Sequence, residues 1–212
     1  MTNHKVTALS VQKRNPRRVN IYLDGEFAFG VERIVAAWLQ IGQEISDEKI
    51  EQLKAEDARE AAYQKALRLL SFRPRTEAEI RQKLQGYALS DDLSDHVLER
   101  LRQSGLVNDQ RFSKEWVDNR SEMRPRSRRA LAYELKRRGI DQQTIEQTTG
   151  SLDDDQLAYQ AAYKHAHKLK DLEWKDFRQK MYRYLAQRGF NAEAAIEATR
   201  RVWAEAKDKT AE

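Results

Sequence analysis

The feature that most constrains the fold is a four-residue phrase that occurs twice. Arg-Pro-Arg-Thr at residues 73–76 and Arg-Pro-Arg-Ser at residues 124–127 contain two of the three prolines in the chain. In each copy the proline ends one helix, and the hydroxyl residue is suited to cap the next helix. This recurrence predicts a tandem repeat, with the function carried on the surface that the repeats form.

The composition favours helices and an extended shape. Charged residues make up 34% of the 212 residues, and the mean hydropathy of -0.89 leaves little for one large spherical core. Only eight glycines are present, and residues that favour helices dominate. We therefore expect an elongated, mainly helical protein, because 40% hydrophobic residues argue against wholesale disorder.

The net charge and the absence of cysteine indicate which binding partners and which cellular compartment to expect. The net charge of +5 favours anionic partners, although 34 acidic residues offset the 39 basic ones, so local clusters are more informative. Without cysteine the chain has neither a disulfide nor a thiolate metal site. No signal-peptide core or membrane-length apolar run is present, so we expect a cytoplasmic monomer with no membrane contact.

The N-terminal part differs from the rest. Residues 1–45 contain strand-like apolar runs around Asp24-Gly25, a two-residue hairpin turn, and the run is followed by a short helix at 32–39. This pattern predicts a small β ribbon. A connecting helix is expected at residues 46–56.

Three units of three helices follow, at residues 57–107, 108–152 and 153–212. The predicted helices lie near 57–72, 76–87 and 91–104, then 108–123, 127–138 and 141–149, then 153–170, 173–188 and 191–206. The middle helices share an apolar pair at i and i+4, which is Ile80/Leu84, Leu131/Leu135 and Met181/Leu185. The predicted fold is mainly α, with three tandem three-helix repeats that form an elongated curved array after the ribbon and short helices.

Two units also end their middle helix in the same way. Arg138-Gly139-Ile140 and Arg188-Gly189-Phe190 each place a glycine where a helix ends in the left-handed conformation, followed by an apolar residue that folds back.

Basic residues concentrate around the repeated phrase and give the best functional signal. Guanidinium groups bind carboxylate or phosphate in a bidentate manner, and a rigid turn that begins with proline would hold them at one height on successive units. The alternative for any single arginine is a solvated face of a highly charged helix. The candidate residues for binding a partner or DNA are Arg73, Arg75, Arg81, Lys83, Arg124, Arg126, Arg128, Arg129, Lys136, Arg137 and Arg138.

Catalytic patterns are thin, so we expect no enzyme, no cofactor and no metal site. His165 and His167 point to opposite sides of a helix and cannot share a metal. The acidic run at 153–155 fits a helix start better than a cation site. Trp116 follows an apolar periodicity that favours core packing over base stacking.

The chain resembles the bacterial regulatory protein RecX family over about residues 57–200. The residues that carry the resemblance are Ala66-Leu67, 72–76, 97–101, 105–109, Arg111-Phe112, Trp116, Arg120, Ser127, Glu134-Leu135, 138–140 and 188–190, with 22–26 matching an N-terminal extension of longer members. The resemblance implies three tandem three-helix repeats and a non-enzymatic, cytoplasmic modulator of the RecA recombinase. Such proteins lie in the groove of the RecA filament on single-stranded DNA and limit its growth and its ATPase, strand-exchange and coprotease activities.

Two other functions remain open at this point. An arginine-rich second helix in three-helix units also suggests a general DNA-binding protein of the helix-turn-helix kind that acts without RecA on single- or double-stranded DNA. A metal-dependent nuclease using residues 153–155 is a more distant alternative. Since the third unit has Leu-Glu-Trp-Lys at 172–175 in place of the phrase, we expect the first two units to carry most of the charge-dependent binding.

Overall fold

The computed structural model describes residues 2–208, which fall into two compact units. One unit holds the chain up to Pro74 together with Ile80–Val107. The other holds Arg75–Glu79 together with the chain from Asn108 onward. The short segment after Pro74 therefore belongs to the unit that contains the second and third repeats.

The first unit begins with a four-stranded antiparallel sheet. Its strands are β1 (Asn3–Val11), β2 (Arg18–Leu23), β3 (Glu26–Glu32) and β4 (Glu44–Ser46), in the order β3-β2-β1-β4. Alternate residues of the strands bury one face of the sheet. The buried apolar side chains on the strands are Val6, Val19, Ile21, Leu23, Val31 and Ile45.

The predicted hairpin is confirmed, but the ribbon is larger than expected. Asp24 and Gly25 both have positive φ, 52° and 93°, as a tight turn between β2 and β3 requires. The ribbon gains β4, a three-residue strand too short to give a periodic signal in the sequence. The helix predicted at 32–39 is wrong, because only a 3-10 turn at Val35–Trp38 forms there.

The first helix, α1, runs without interruption from Asp47 to Leu70, so the separate connecting helix predicted at 46–56 is wrong. The sequence contains no glycine or proline in this stretch that would end a helix. Asp57, the predicted start of a second helix, instead connects α1 to the sheet through its carboxylate. Its carboxylate accepts a hydrogen bond from the N–H of Glu32 at 2.6 Å and pairs with Arg18 at 2.9 Å.

The remaining helices confirm the predicted three-helix repeats. They are α2 (Glu77–Gln85), α3 (Asp91–Gln103), α4 (Asp109–Met123), α5 (Arg128–Arg137), α6 (Gln142–Thr149), α7 (Asp154–Ala166), α8 (Trp174–Gln187) and α9 (Ala192–Asp208). A 3-10 turn, His167–Leu169, extends α7. The six side chains of the predicted i, i+4 pairs on α2, α5 and α8 are completely buried, so the predicted register is confirmed.

The repeated phrase lies at joints between consecutive repeats. Thr76 Oγ1 donates a hydrogen bond to the carbonyl oxygen of Arg138 at 2.7 Å and accepts one from the N–H of Glu79, as a helix cap does. One repeat later, the N–H of Ser127 donates to the carbonyl oxygen of Arg188 at 3.2 Å. In both cases the cap of one middle helix contacts the end of the next middle helix.

A second contact completes each joint. The carboxylate of Asp109 accepts a hydrogen bond from the N–H of Glu77 at 3.0 Å. The carboxylate of Asp154 accepts one from the N–H of Arg128 at 2.6 Å. The first helix of each following repeat thus supplies an acid that satisfies a free N–H at the start of the preceding middle helix, where negative charge is favourable.

Glycine is required where the chain ends each of these middle helices. Gly139 has φ +79°, and a Cβ built on it would lie 2.2 Å from the Cβ of Ala78. Gly189 has φ +89°, and its Cβ would lie 2.7 Å from Ser127 Oγ. The predicted left-handed glycines are confirmed, and their lack of a side chain also permits the close approach to Ala78 and to Ser127.

His4 connects the sheet to the start of α1. Its Nδ1 lies 2.8 Å from Asp24 Oδ2, and its Nε2 lies 3.1 Å from Asp47 Oδ1. The hydrogen bonds to Asp24 and then Asp47 raise the pKa of His4. Hydrogen bonds from the Lys5 backbone and then from His4 lower the pKa of Asp24, and the bond with His4 lowers that of Asp47.

We expect His4→Gln to remove a stabilisation that depends on pH. The contribution of charged His4 to the free energy of unfolding is fully present below its unfolded pKa of about 6.5. That contribution is lost as the pH rises through the raised pKa of the folded state. The carboxylates contribute above their unfolded pKa of about 3.9, and this is lost as pH falls through their lowered values. The free energies of unfolding in urea of the unmodified protein and of His4→Gln should therefore differ most between about pH 4 and 6.5. A difference that does not vary with pH would contradict this assignment.

Candidate functional site

The candidate basic residues form two groups. One group makes ion pairs within the protein, and the other is exposed to solvent. Arg126 belongs to the first group. Its Nη1 lies 3.2 Å from Glu134 Oε1, and its Nε is buried. Glu134 also accepts a hydrogen bond from Trp116 Nε1 at 2.9 Å and lies 3.5 Å from Arg120 Nε. Arg126 is therefore one of three donors that surround a single carboxylate.

Arg138 is also committed to internal contacts. Its Nη1 lies 2.5 Å from Glu79 Oε1, and its guanidinium lies 3.9 Å from the ring centroid of Trp116. Arg120 lies 4.5 Å from the same centroid. Trp116 thus contacts two guanidinium groups and packs against the core of its repeat with Phe112, which confirms the core interpretation of this tryptophan.

The first repeat presents little free positive charge on its middle helix. Arg81 Nη2 lies 2.5 Å from Asp95 Oδ1. Lys83 is exposed, but Glu77 and Glu79 begin the same helix. In the loop before α2, Arg73 is exposed and bonds to the Pro74 carbonyl oxygen at 2.9 Å, and Arg75 is half-buried.

The second repeat carries the strongest exposed basic surface among the candidates. Arg124, Arg128, Arg129, Lys136 and Arg137 are all exposed. An exposed tyrosine lies among these cations. Tyr133 is 62% exposed and lies one helical turn from both Arg129 and Arg137. The Arg137 guanidinium lies 5.9 Å from the centroid of this ring. We call these five cations with Tyr133 the α5 face.

The third repeat has a comparable surface that the candidate residues omitted. Exposed cations run along α8, and Tyr182, 40% exposed, lies one turn from Arg178. The cations of this α8 face are Lys175, Arg178, Lys180 and Arg183. The density of basic residues along 174–187 is the sequence signal for this surface, although the helix lacks the preceding Arg-Pro-Arg phrase.

The two faces suit an anionic partner. Exposed guanidinium groups can each donate two hydrogen bonds to a phosphate or carboxylate, and lysines add point charges. On α5 the acid Glu134 is already engaged by Trp116, Arg120 and Arg126. The outward charge of this helix is therefore almost wholly positive.

Groups that suggested other chemistry have structural roles. Asp153 caps α7 by accepting hydrogen bonds from the N–H groups of Asp155 and Gln156. The ring of His165 stacks on Tyr184 with 3.7 Å between centroids, and burial, followed by Lys168 and Arg188, lowers the His165 pKa. Within residues 2–208 no group of three or more histidine, aspartate or glutamate side chains is placed to hold a metal ion.

Over the same described span, no helix combines the length and apolar character needed to cross a bilayer.

Comparison with known protein families gives one consistent result over nearly the whole chain. Residues 4–46 match the regulatory protein RecX N-terminal domain. Residues 62–101, 108–148 and 153–204 match the first, second and third three-helix domains of RecX. These matches coincide with the sheet and with the three repeats of the structure.

Individual relatives agree with this result. The chain is 30% identical to a regulatory protein RecX of Clostridium beijerinckii, over 94% of this chain and 96% of that protein. It is 31% identical to a RecX of Bacillus velezensis, over 92% of this chain and 77% of that protein. A crystal structure of a regulatory protein RecX superposes with a TM-score of 0.71 at 25% identity, over 92% of this chain and 98% of the other.

Proposed function

This chain belongs to the regulatory protein RecX family, and we propose on that basis that it binds the RecA recombinase filament on single-stranded DNA and modulates RecA. Its main effect would be to inhibit the ATPase, strand-exchange and coprotease activities. The observation that carries the proposal is the match to all four RecX domains, in order, along the chain. This role would place the protein in the cytoplasm, in homologous recombination, DNA repair and the SOS response.

The exposed cations suggest how binding would occur. The α5 and α8 faces would contact acidic surface of RecA and the phosphates of its DNA. The joints described above fix the start of α5 against the end of α8 through Ser127 and Arg188. Because the two faces are held by one structural unit, they would engage neighbouring protomers of a filament together and hinder protomer exchange and ATP turnover.

A second candidate is a general DNA-binding protein that acts without RecA. The exposed tyrosines beside arginines, Tyr133 on α5 and Tyr182 on α8, favour it, because aromatic rings can stack on unpaired bases while guanidinium groups bind phosphates. In this case affinity for naked DNA would be high and would fall steeply with salt.

We expect this protein to lower the rate of ATP hydrolysis by RecA assembled on single-stranded DNA, in proportion to the amount added. Binding to the DNA should be tighter when RecA and nucleotide are present than on naked DNA at the same salt concentration. The measurement is a coupled ATPase assay with a parallel sedimentation assay. Unchanged hydrolysis at every ratio, with undiminished binding to naked DNA, would favour the second candidate.

A further inference from the structure

An exposed tryptophan in the first unit has no role in either proposed mechanism. Trp38 is 89% exposed, and its neighbours Ile34 and Ile41 are 62% and 67% exposed. Within residues 2–208 no aromatic ring or cation contacts its indole. Large apolar side chains grouped at the surface in this way commonly mark a binding site.

The local fold explains why Trp38 faces outward. The 3-10 turn at Val35–Trp38 buries Ala36 against the sheet, and the N–H of Leu39 donates to the carbonyl oxygen of Ala36 at 3.1 Å. Leu39 is also buried in the core of the sheet. Since Ala36 and Leu39 anchor the turn, the indole of Trp38 contributes little to the stability of this unit.

Two adjoining clefts extend the apolar surface on either side of Ile34. One, of about 680 Å³, is lined by Val11, Val19 and Arg33 among others. The other, of about 290 Å³, includes Trp38 and Arg59. We call this continuous surface the Trp38 surface.

Arginines line both clefts of the Trp38 surface. Arg33 and Arg59 are exposed, and within the described chain neither side chain forms an ion pair. The backbone N–H of Arg33 donates to the carbonyl oxygen of Arg17, so the basic β1–β2 loop lies beside it. That loop contributes the exposed Lys13, Arg14 and Arg17.

The acids near the Trp38 surface offset this charge only in part. Glu60 is bonded by Arg100 at 2.6 Å and by Gln64 at 2.9 Å, so its charge is already compensated. Glu56 is exposed and remains as an opposing charge. The surface therefore combines a flat aromatic ring, an apolar band and an excess of guanidinium groups.

We propose that the Trp38 surface binds a single-stranded nucleic acid directly, with the indole of Trp38 stacked on a base and Arg33 and Arg59 bound to phosphates. A single strand offers an aromatic face and an anionic group in every nucleotide, which matches this pairing of groups. In duplex DNA the base faces are already stacked on one another. A protein partner would cover the apolar band, but five exposed cations against the single uncompensated acid Glu56, together with the open indole, favour the nucleic acid.

The test measures tryptophan fluorescence during titration with an oligothymidylate. It uses the full chain in an R124E/R128E/R129E background, which weakens the α5 face and leaves the α8 face the same in every variant that is compared. Base stacking should quench the indole, and Trp38→Phe should remove most of the quenching while it keeps the affinity, because phenylalanine also stacks. Trp38→Ala should raise the dissociation constant about tenfold, and R33A/R59A should lower the salt slope by about 1.4.

Phe72→Ala is the matched control, since Phe72 is 74% exposed in the same unit but lies outside the lining of both clefts. It should leave quenching and affinity unchanged, and a duplex oligonucleotide should quench far less than the single strand. Equal quenching of the background protein and its Trp38→Phe variant would overturn the proposal. So would a Trp38→Ala variant that binds oligothymidylate normally but binds RecA filaments more weakly, because the surface would then serve a protein partner.

Discussion

Replacing Arg124, Arg128 and Arg129 by glutamate is expected to raise the concentration needed for half-inhibition of the RecA ATPase by tenfold or more. Each change converts an attraction for an anionic surface into a repulsion, and exposed pairs contribute up to about 1 kcal/mol each. Three such changes together exceed the roughly 1.4 kcal/mol that corresponds to a factor of ten. The measurement is the ATPase assay at fixed RecA and increasing amounts of the variant.

The choice of these three residues depends on the structure. Arg126 is left unchanged because its pairing with Glu134 holds the fold, and a glutamate there would face another acid. Arg128 and Arg129 lie in the first turn of α5, where a glutamate complements the helix dipole. Arg124 is the exposed residue that ends α4, so circular dichroism must verify that the fold of the triple variant survives.

The matched control reverses three exposed cations on other helices and turns of the same unit, Lys114, Lys168 and Arg200. It has the same net charge as the triple variant but keeps the α5 face. Inhibition by the control should stay close to that of the unmodified protein. Equal weakening in both variants would mean that net charge, and not the α5 face, is responsible.

The largest loss of stability is expected from Gly139→Ala. The new methyl group would collide with Ala78, whose Cβ lies 2.2 Å from its ideal position, at a residue with φ +79°. Overpacking costs about 1–3 kcal/mol and the left-handed backbone about 1 kcal/mol more. We therefore expect the free energy of unfolding in urea to fall by about 2–4 kcal/mol.

Gly105→Ala provides the control for backbone strain alone. Gly105 has φ +66°, and nothing lies within 4 Å of its built Cβ, so about 1 kcal/mol should be lost. Combining Gly139→Ala with Ala78→Gly should restore part of the loss by removing the collision. Equal losses at Gly139 and Gly105 would show that the contact with Ala78 is unimportant.

Patterns within a few residues predicted much of the fold. The i, i+4 apolar pairs of the middle helices, the Asp24-Gly25 turn and the left-handed Gly139 and Gly189 are all confirmed. These features follow from backbone geometry and helical period, which act over one or two turns. The strand β4 escaped prediction because its pairing with the distant β1 forms it. The continuous α1 was divided in the prediction because Asp57 resembled a helix start, whereas its carboxylate bonds to the sheet.

The candidate surface was predicted only in part. Clustering in the sequence identified the α5 cations, but it could not separate Arg126 from Arg128. That separation depends on Glu134 and on the direction in which each side chain leaves the backbone. Trp38 was missed because its exposure follows from the 3-10 turn, which replaced the predicted helix.

By itself, the sequence determined that this protein is a tandem repeat of three-helix units, because the Arg-Pro-Arg phrase and the helical period are local and recur. Only the tertiary structure decided what the phrase does. Thr76 and Ser127 contact the ends of α5 and α8 across more than 60 residues. Each joint is completed by the glycine that ends the later middle helix and by an aspartate at the start of the intervening helix, Asp109 or Asp154. Hydrogen bonds between groups so distant in sequence have no spacing that reveals them, so the division into structural and exposed arginines emerges only from the folded chain.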